Sequence, residues 1–113
     1  MEKQDIVYVQ HILQCIDHIA EYIDDMNEQD FLANQMVKDA VVRNFEIIGE
    51  ATKRLSMDFR EKYSKIPWKQ MAGMRDKLIH DYLEVDYAVV WYTASNLLPT
   101  LQSQIEKILA KES

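Results

Sequence analysis

The sequence predicts an all-α protein, an antiparallel up-and-down helical bundle of four main helices plus short extra helices. Three observations predict it. Only two glycines and two prolines occur among 113 residues, which leaves little turn chemistry for hairpins. Apolar residues return at steps of three and four through long stretches, the stripe of a helix facing a core. The connections between those stretches are short, which favours antiparallel neighbours.

The first helix is expected from about Asp5 to Met26, with Ile6, Val9, Leu13, Ile16, Ala20 and Ile23 on its inner face. "DDMNEQDFLAN" interrupts the pattern and supplies capping residues, so a connecting turn is placed there. A second long helix follows from about Gln35 to Ser56, burying Val37, Val41, Ile48, Ala51 and Leu55. "MDFREKY" reads as a single extra turn or short helix. "SKIPW" is a connection, with Pro67 suited to the first position of a third helix carrying "PWKQMAGMRDKLIHDY". Asp86 is placed as the cap of a last helix reaching about Leu109, with Val89, Tyr92, Leu101, Ile105 and Ile108 inward. Pro99 lies inside it and lacks a backbone donor, which predicts a kink or break nearby.

Apolar residues make up 48% and charged residues 28%, the balance of a soluble globular protein, and residues 1–113 are read as one helical domain. Cys15 is the only cysteine. Its helical apolar setting in "HILQCIDHI" marks a small buried hydrophobe rather than a reactive thiol. No charged-then-apolar leader opens the chain and no apolar run approaches a membrane span, so a reduced, cytoplasmic location is expected.

The net charge of −6 argues at first against a nucleic-acid partner, but its distribution is uneven. Residues 1–30 carry −7 and residues 53–80 carry +5. The basic excess is local and contains Arg75.

Metal chemistry finds little support. His11 and His18 lie seven apart on one helix, with Asp17 and Glu21 nearby, and no second cluster completes a zinc site. There is no glycine-rich phosphate loop and no nucleophile elbow. No cofactor is expected.

The polar segment of interest is "RDKLIHDY", residues 75–82. At about 100° per residue, Arg75 and Tyr82 fall on nearly one stripe, and Asp76 aligns with His80 so that its carboxylate could orient the imidazole. Arg75 and His80 sit about 140° apart on a straight helix. They converge only if the helix loosens at its end or a second subunit completes the site. The residue types suit phosphodiester cleavage. An imidazole moves protons at neutral pH, and a guanidinium holds phosphate oxygens where negative charge accumulates. With RNA the 2′-hydroxyl is a built-in nucleophile. The second helix adds "RNFEIIGEA", where Arg43 can pair with Glu46, Glu46 and Glu50 share a face, and Asn44 and Glu50 are candidates for support. Gly49 costs about 1 kcal/mol of helix stability relative to Ala, so something is expected to approach the backbone there.

"AVVRNFEIIGEATKRLS" followed by "IPWKQMAGMRDKLIHDY" resembles the HepT family of HEPN-domain proteins over nearly the whole chain. The hallmark is Arg, four residues, His, one residue, Tyr, which Arg75, His80 and Tyr82 satisfy, with Asp76 as the polar residue after the arginine. The resemblance implies a HEPN-like helical bundle that forms a homodimer, bringing two Arg–His motifs to a shared cleft. It implies a metal-independent endoribonuclease with Arg75 and His80 catalytic, and Asp76, Asn44, Glu50 and Arg43 supporting. It also implies a toxin paired with a nucleotidyltransferase antitoxin that silences it by attaching AMP to Tyr82. Two other readings stand beside it: a non-catalytic helical module that binds a nucleotidyltransferase or a nucleotide, and a polar cluster that only glues an obligate dimer.

Overall fold

The computed structural model describes residues 3–81 and 84–112. The chain folds as an all-α bundle in which several helices begin where a short polar side chain caps exposed backbone donors. Helix α1 spans Lys3–Tyr22. Asn27 then opens α2 (Glu28–Leu32) with a reciprocal capping box: its Oδ1 accepts from Asp30 N at 2.8 Å while Asp30 Oδ2 accepts from Asn27 N at 3.2 Å. The segment expected as a plain turn therefore holds a helix of its own. That helix sends Phe31 into the core against the Trp91 ring, 5.3 Å between centroids.

Asn34 caps α3 (Gln35–Lys53) and Ser56 caps α4 (Met57–Lys62). Asp5, buried near the start of α1, accepts from both Ser56 N and Ser56 Oγ, at 2.8 and 2.7 Å. This ties the beginning of α1 to the end of α3 and makes the two antiparallel. Asp17, late in α1, likewise accepts from Gln102 early in the last helix, at 2.7 Å. Phe59 of α4 packs between the Tyr63 and Trp68 rings, and Trp68 Nε1 donates to Tyr63 O at 3.0 Å.

The expected third helix is the main correction. Instead of one run through Tyr82, there are two short helices, α5 (Trp68–Ala72) and α6 (Met74–Leu78), followed by β1 (Ile79–Asp81). Pro67 stands at the N-cap of α5 rather than inside it. Gly73 separates the helices, its N–H closing on Lys69 O at 3.1 Å and its carbonyl accepting from Lys77 N at 3.2 Å. The chain keeps a helical apolar spacing through Met71, Met74 and Leu78, which explains why periodicity alone runs through the break. Beyond Leu78 the backbone pairs antiparallel with β2 (Glu84–Val85), Ile79 opposite Val85, and Asp86 N donates to Leu78 O at 2.9 Å.

Asp86 caps α7 (Tyr87–Tyr92), accepting from Val89 N at 3.1 Å as its position suggests. The helical path continues through a π turn over Thr93–Leu97 into α8 (Leu98–Glu112). The interruption expected near Pro99 takes this form. Leu98 N reaches back five residues to Thr93 O, and the side chains of Thr93, Ser95 and Asn96 donate to carbonyls four residues behind them. The inward stripe is Val90, Ala94, Leu98, Leu101, Ile105 and Ile108. Tyr92, expected inward, lies about 200° round from Val90 and is exposed. On α1 the buried stripe is Val9, Ile12, Cys15, Ile16 and Ile19, so Ala20 faces outward. Burial raises the Cys15 thiol pKa, in keeping with a packing role. Among the described residues no helix is long and apolar enough to cross a membrane.

Helix α1 packs on α3 and α8, and α3 packs on α5 and α6. The contact that admits α5 is at Gly49. A Cβ there would lie 3.4 Å from Met71 O and 3.6 Å from Ala72 O. The close approach expected at Gly49 is thus the backbone end of α5. Those distances are ordinary contacts for a methyl group, so Gly49→Ala should keep the fold and gain up to about 1 kcal/mol from helix propensity. Gly49→Leu should lose roughly 1–3 kcal/mol by pushing α5 away. Urea denaturation of both variants measures the difference, and an alanine variant as destabilised as the leucine one would show the contact to be tighter than described.

Candidate active-site groove

Arg75 lies on α6, one residue after the Gly73–Met74 junction, and its guanidinium is brought to α3. Its Nε is 3.6 Å from Glu46 Oε2, and its Nη1 is 3.9 Å from Asp76 Oδ1. The Arg75 side chain is 53% exposed and Glu46 40%. Such a pair is long, wet and worth little to stability. A guanidinium held this loosely can exchange a carboxylate for a phosphate at small cost.

Around it is a groove of about 340 Å³ lined by Asp39, Val42, Arg43, Glu46, Arg75, Val85 and Tyr87. Three elements build it: one face of α3, the start of α6, and the β2–α7 junction. Tyr87 is held at the margin by Lys38, whose Nζ stands 4.5 Å from the ring centroid. Asp39 Oδ1 accepts from Gln35 Nε2 at 2.8 Å, one turn earlier on the same helix.

The candidate residues divide. Arg43 and Glu46 line the groove with Arg75, but the pairing differs from the one expected: Glu46 faces Arg75, and among the described residues no carboxylate is within ion-pair distance of Arg43. Asn44 points inward. It is 8% exposed and its amide donates to Ala40 O at 2.8 Å, so its hydrogen bond is spent inside α3. Glu50 is 64% exposed, pairs with Lys53 at 3.8 Å and lies outside the groove lining. Asp76 is 82% exposed. Its expected helical alignment with His80 is absent, because α6 ends at Leu78 and His80 belongs to β1. Of the His80 side chain nothing is described, and Tyr82 lies outside the described residues.

Asp39, Val42, Val85 and Tyr87 were not singled out from the sequence. Asp39 carried a usable signal, since it is seven residues before Glu46 and so shares its helical stripe. Val85 and Tyr87 carried none, because only the chain reversal after α6 brings them across. A second, more apolar groove of about 410 Å³ lies on the other face of α6, between Met71, Met74, Leu78 and Leu97, Leu98, Leu101. Among the described residues Lys77 is the only ionisable side chain lining it. Its other polar lining is uncharged, whereas the smaller groove gathers two arginines and two carboxylates, the mixture a candidate site calls for.

An all-α bundle that ends a short helix between an arginine and a histidine, with that arginine in a polar groove, is the class of protein defined by these features. A family model described as "Ribonuclease HepT-like" matches residues 12–108. The chain belongs to that family. Its relatives include "Putative RNase TTE0752" of Caldanaerobacter subterraneus subsp. tengcongensis, 47% identical over 105 residues, which is 93% of this chain and 94% of the relative. "Putative RNase MJ0125" of Methanocaldococcus jannaschii is 46% identical over 110 residues, 96% of this chain and 95% of the relative. "Probable ribonuclease HepT" of Thermococcus cleftensis is 40% identical over 108 residues, 96% of this chain and 98% of the relative. No solved structure matches the chain.

Because both partners of the Arg75–Glu46 pair are largely hydrated, Glu46→Gln should change unfolding free energy by less than about 1 kcal/mol. Thermal and urea unfolding measure this, and a loss of several kcal/mol would make the pair a structural tie instead of a loosely held cation.

Proposed function

We propose that this chain is a metal-independent endoribonuclease that cleaves RNA by attack of the 2′-hydroxyl on the adjacent phosphate. The observation that carries the reading is Arg75: a half-exposed guanidinium in a polar groove, only weakly committed to Glu46, three residues before the helix-to-strand change that leads to His80. Membership of the Ribonuclease HepT-like family supports it, as do relatives whose names describe them as RNases.

In the proposed reaction Arg75 grips the non-bridging oxygens of the scissile phosphate and stabilises the charge that builds up there. The 2′-oxygen loses its proton to a base and forms a bond to phosphorus. The bond from phosphorus to the 5′-oxygen breaks, and that oxygen takes a proton. The products are a 2′,3′-cyclic phosphate and a 5′-hydroxyl. His80 supplies base or acid in this exchange, since imidazole is half-protonated near neutral pH. A homodimer would put two copies of the motif at one cleft, so that one imidazole takes a proton while the other gives one. The same motif supports a cytoplasmic toxin role, with a nucleotidyltransferase antitoxin adding AMP to Tyr82. A phosphate placed there would compete for Arg75 and repel the RNA backbone.

Wild type should cleave RNA in excess EDTA, while Arg75→Ala and His80→Ala should each fall by about 100-fold or more with unchanged melting curves. Equal activity in all three proteins would refute the assignment. Tight binding to a nucleotidyltransferase with no RNA cut at any enzyme concentration would favour the non-catalytic module. Co-expression with the cognate transferase should add AMP mass to wild type and none to Tyr82→Phe, and an adduct retained in the phenylalanine variant would move the modification elsewhere.

A further inference from the structure

The groove extends well past Arg75, and its far end is built for something other than a phosphate. Asp39, Arg43 and Glu46 follow one another along a single face of α3 and all line it. Seven residues at 1.5 Å rise separate Asp39 from Glu46 by about 10 Å along the helix. That is comparable with the reach of one nucleotide from its phosphate to the hydrogen-bonding edge of its base. A nucleotide with its phosphate at Arg75 therefore has the span to bring its base to Asp39.

We propose that this end of the groove is a base subsite that selects guanine next to the scissile phosphate, with the Asp39 carboxylate reading its Watson–Crick edge. The inference rests on the ribonuclease reading for the position of the phosphate. It rests on the groove's own chemistry for the identity of the base. An ionised carboxylate only accepts hydrogen bonds, through two oxygens side by side. Guanine alone among the four RNA bases offers two adjacent donors on that edge, the ring N1–H and the exocyclic amine. Adenine and cytosine set an unprotonated ring nitrogen beside their single amine, which would face the carboxylate with a lone pair. Uracil flanks its one N–H with carbonyl oxygens.

The remaining lining fits a planar aromatic ligand. Val42, Val85 and Tyr87 give apolar wall for the faces of a base, and Lys38 above the Tyr87 ring holds that wall in place. Gln35, donating to Asp39 Oδ1 at 2.8 Å, steadies the carboxylate; among the described residues no hydrogen bond reaches Oδ2, and Oδ1 keeps a second lone pair. Arg43 is exposed in the same groove, with no ion-pair partner among the described residues, and a guanidinium plane is a surface on which bases stack.

The test separates base recognition from cleavage. Titrate GMP, AMP, CMP and UMP into the intact protein, following backbone amide shifts and affinity by NMR and calorimetry, for wild type and Asp39→Asn. GMP should bind about tenfold or more tightly than the other three, with shifts centred on residues 39–46, and Asp39→Asn should abolish that preference. Asp39 is exposed, and the circular dichroism of the variant should match wild type. Equal affinities, shifts centred elsewhere, or a guanine preference that survives in Asp39→Asn would overturn the subsite. A panel of short RNAs varied at one position tells the two readings apart. RNA cut with no preference for guanine beside the break sinks the subsite alone, whereas intact RNA together with a retained GMP preference sinks the ribonuclease reading and supports the subsite.

Discussion

The end of α5 rests on α3 at Gly49, and the geometry of the groove follows from that contact. With no side chain at Gly49, the carbonyls of Met71 and Ala72 come to within ordinary contact of the place a methyl group would fill. The chain then breaks at Gly73 and restarts as α6, which carries Arg75 back along the same helix. Glu46, three residues before Gly49, meets it. A larger residue at position 49 would move α5 outward, and α6 with it.

Two features on either side of α6 show how chemistry and packing are divided. One face, through Met74 and Leu78, joins Met71 of α5 in bordering the apolar groove beside the π turn. The other presents Arg75 to carboxylates, a second arginine and an aromatic ring. The apolar groove is the larger of the two, but its surface is mostly hydrocarbon with Lys77 as the one charged group among the described residues. The polar groove is loosely paired, and loose pairing suits a site that must exchange its internal partners for a charged ligand. The net negative charge of the chain is unevenly spread, and within the groove two arginines stand against two carboxylates.

The chain belongs to the Ribonuclease HepT-like family, and its motif arginine is half exposed in the polar groove. The break between Arg75 and His80 answers the difficulty that a straight helix raises. Two residues five apart on a helix point in different directions, and a chain that leaves the helix after Leu78 is released from that constraint.

Much of the fold was legible in the sequence. The all-α class, the long helices α1 and α3, the short helix after Ser56, the cap at Asp86 and the disturbance near Pro99 all follow from period, capping chemistry and a missing donor. The main error has one cause. Apolar spacing continued through Gly73 and past Leu78, so periodicity saw one helix where the break at Gly73 made two and backbone pairing with residues 84–85 ended the second. By itself the sequence determined the helical class, the long helices and the motif that marks the family, because those depend on neighbours a few residues apart. Only the tertiary structure decided that Glu46 faces Arg75 and that Asn44 turns inward. It alone brought Asp39, Val85 and Tyr87 into the groove, because those meetings depend on where a chain reversal sends residues distant in sequence.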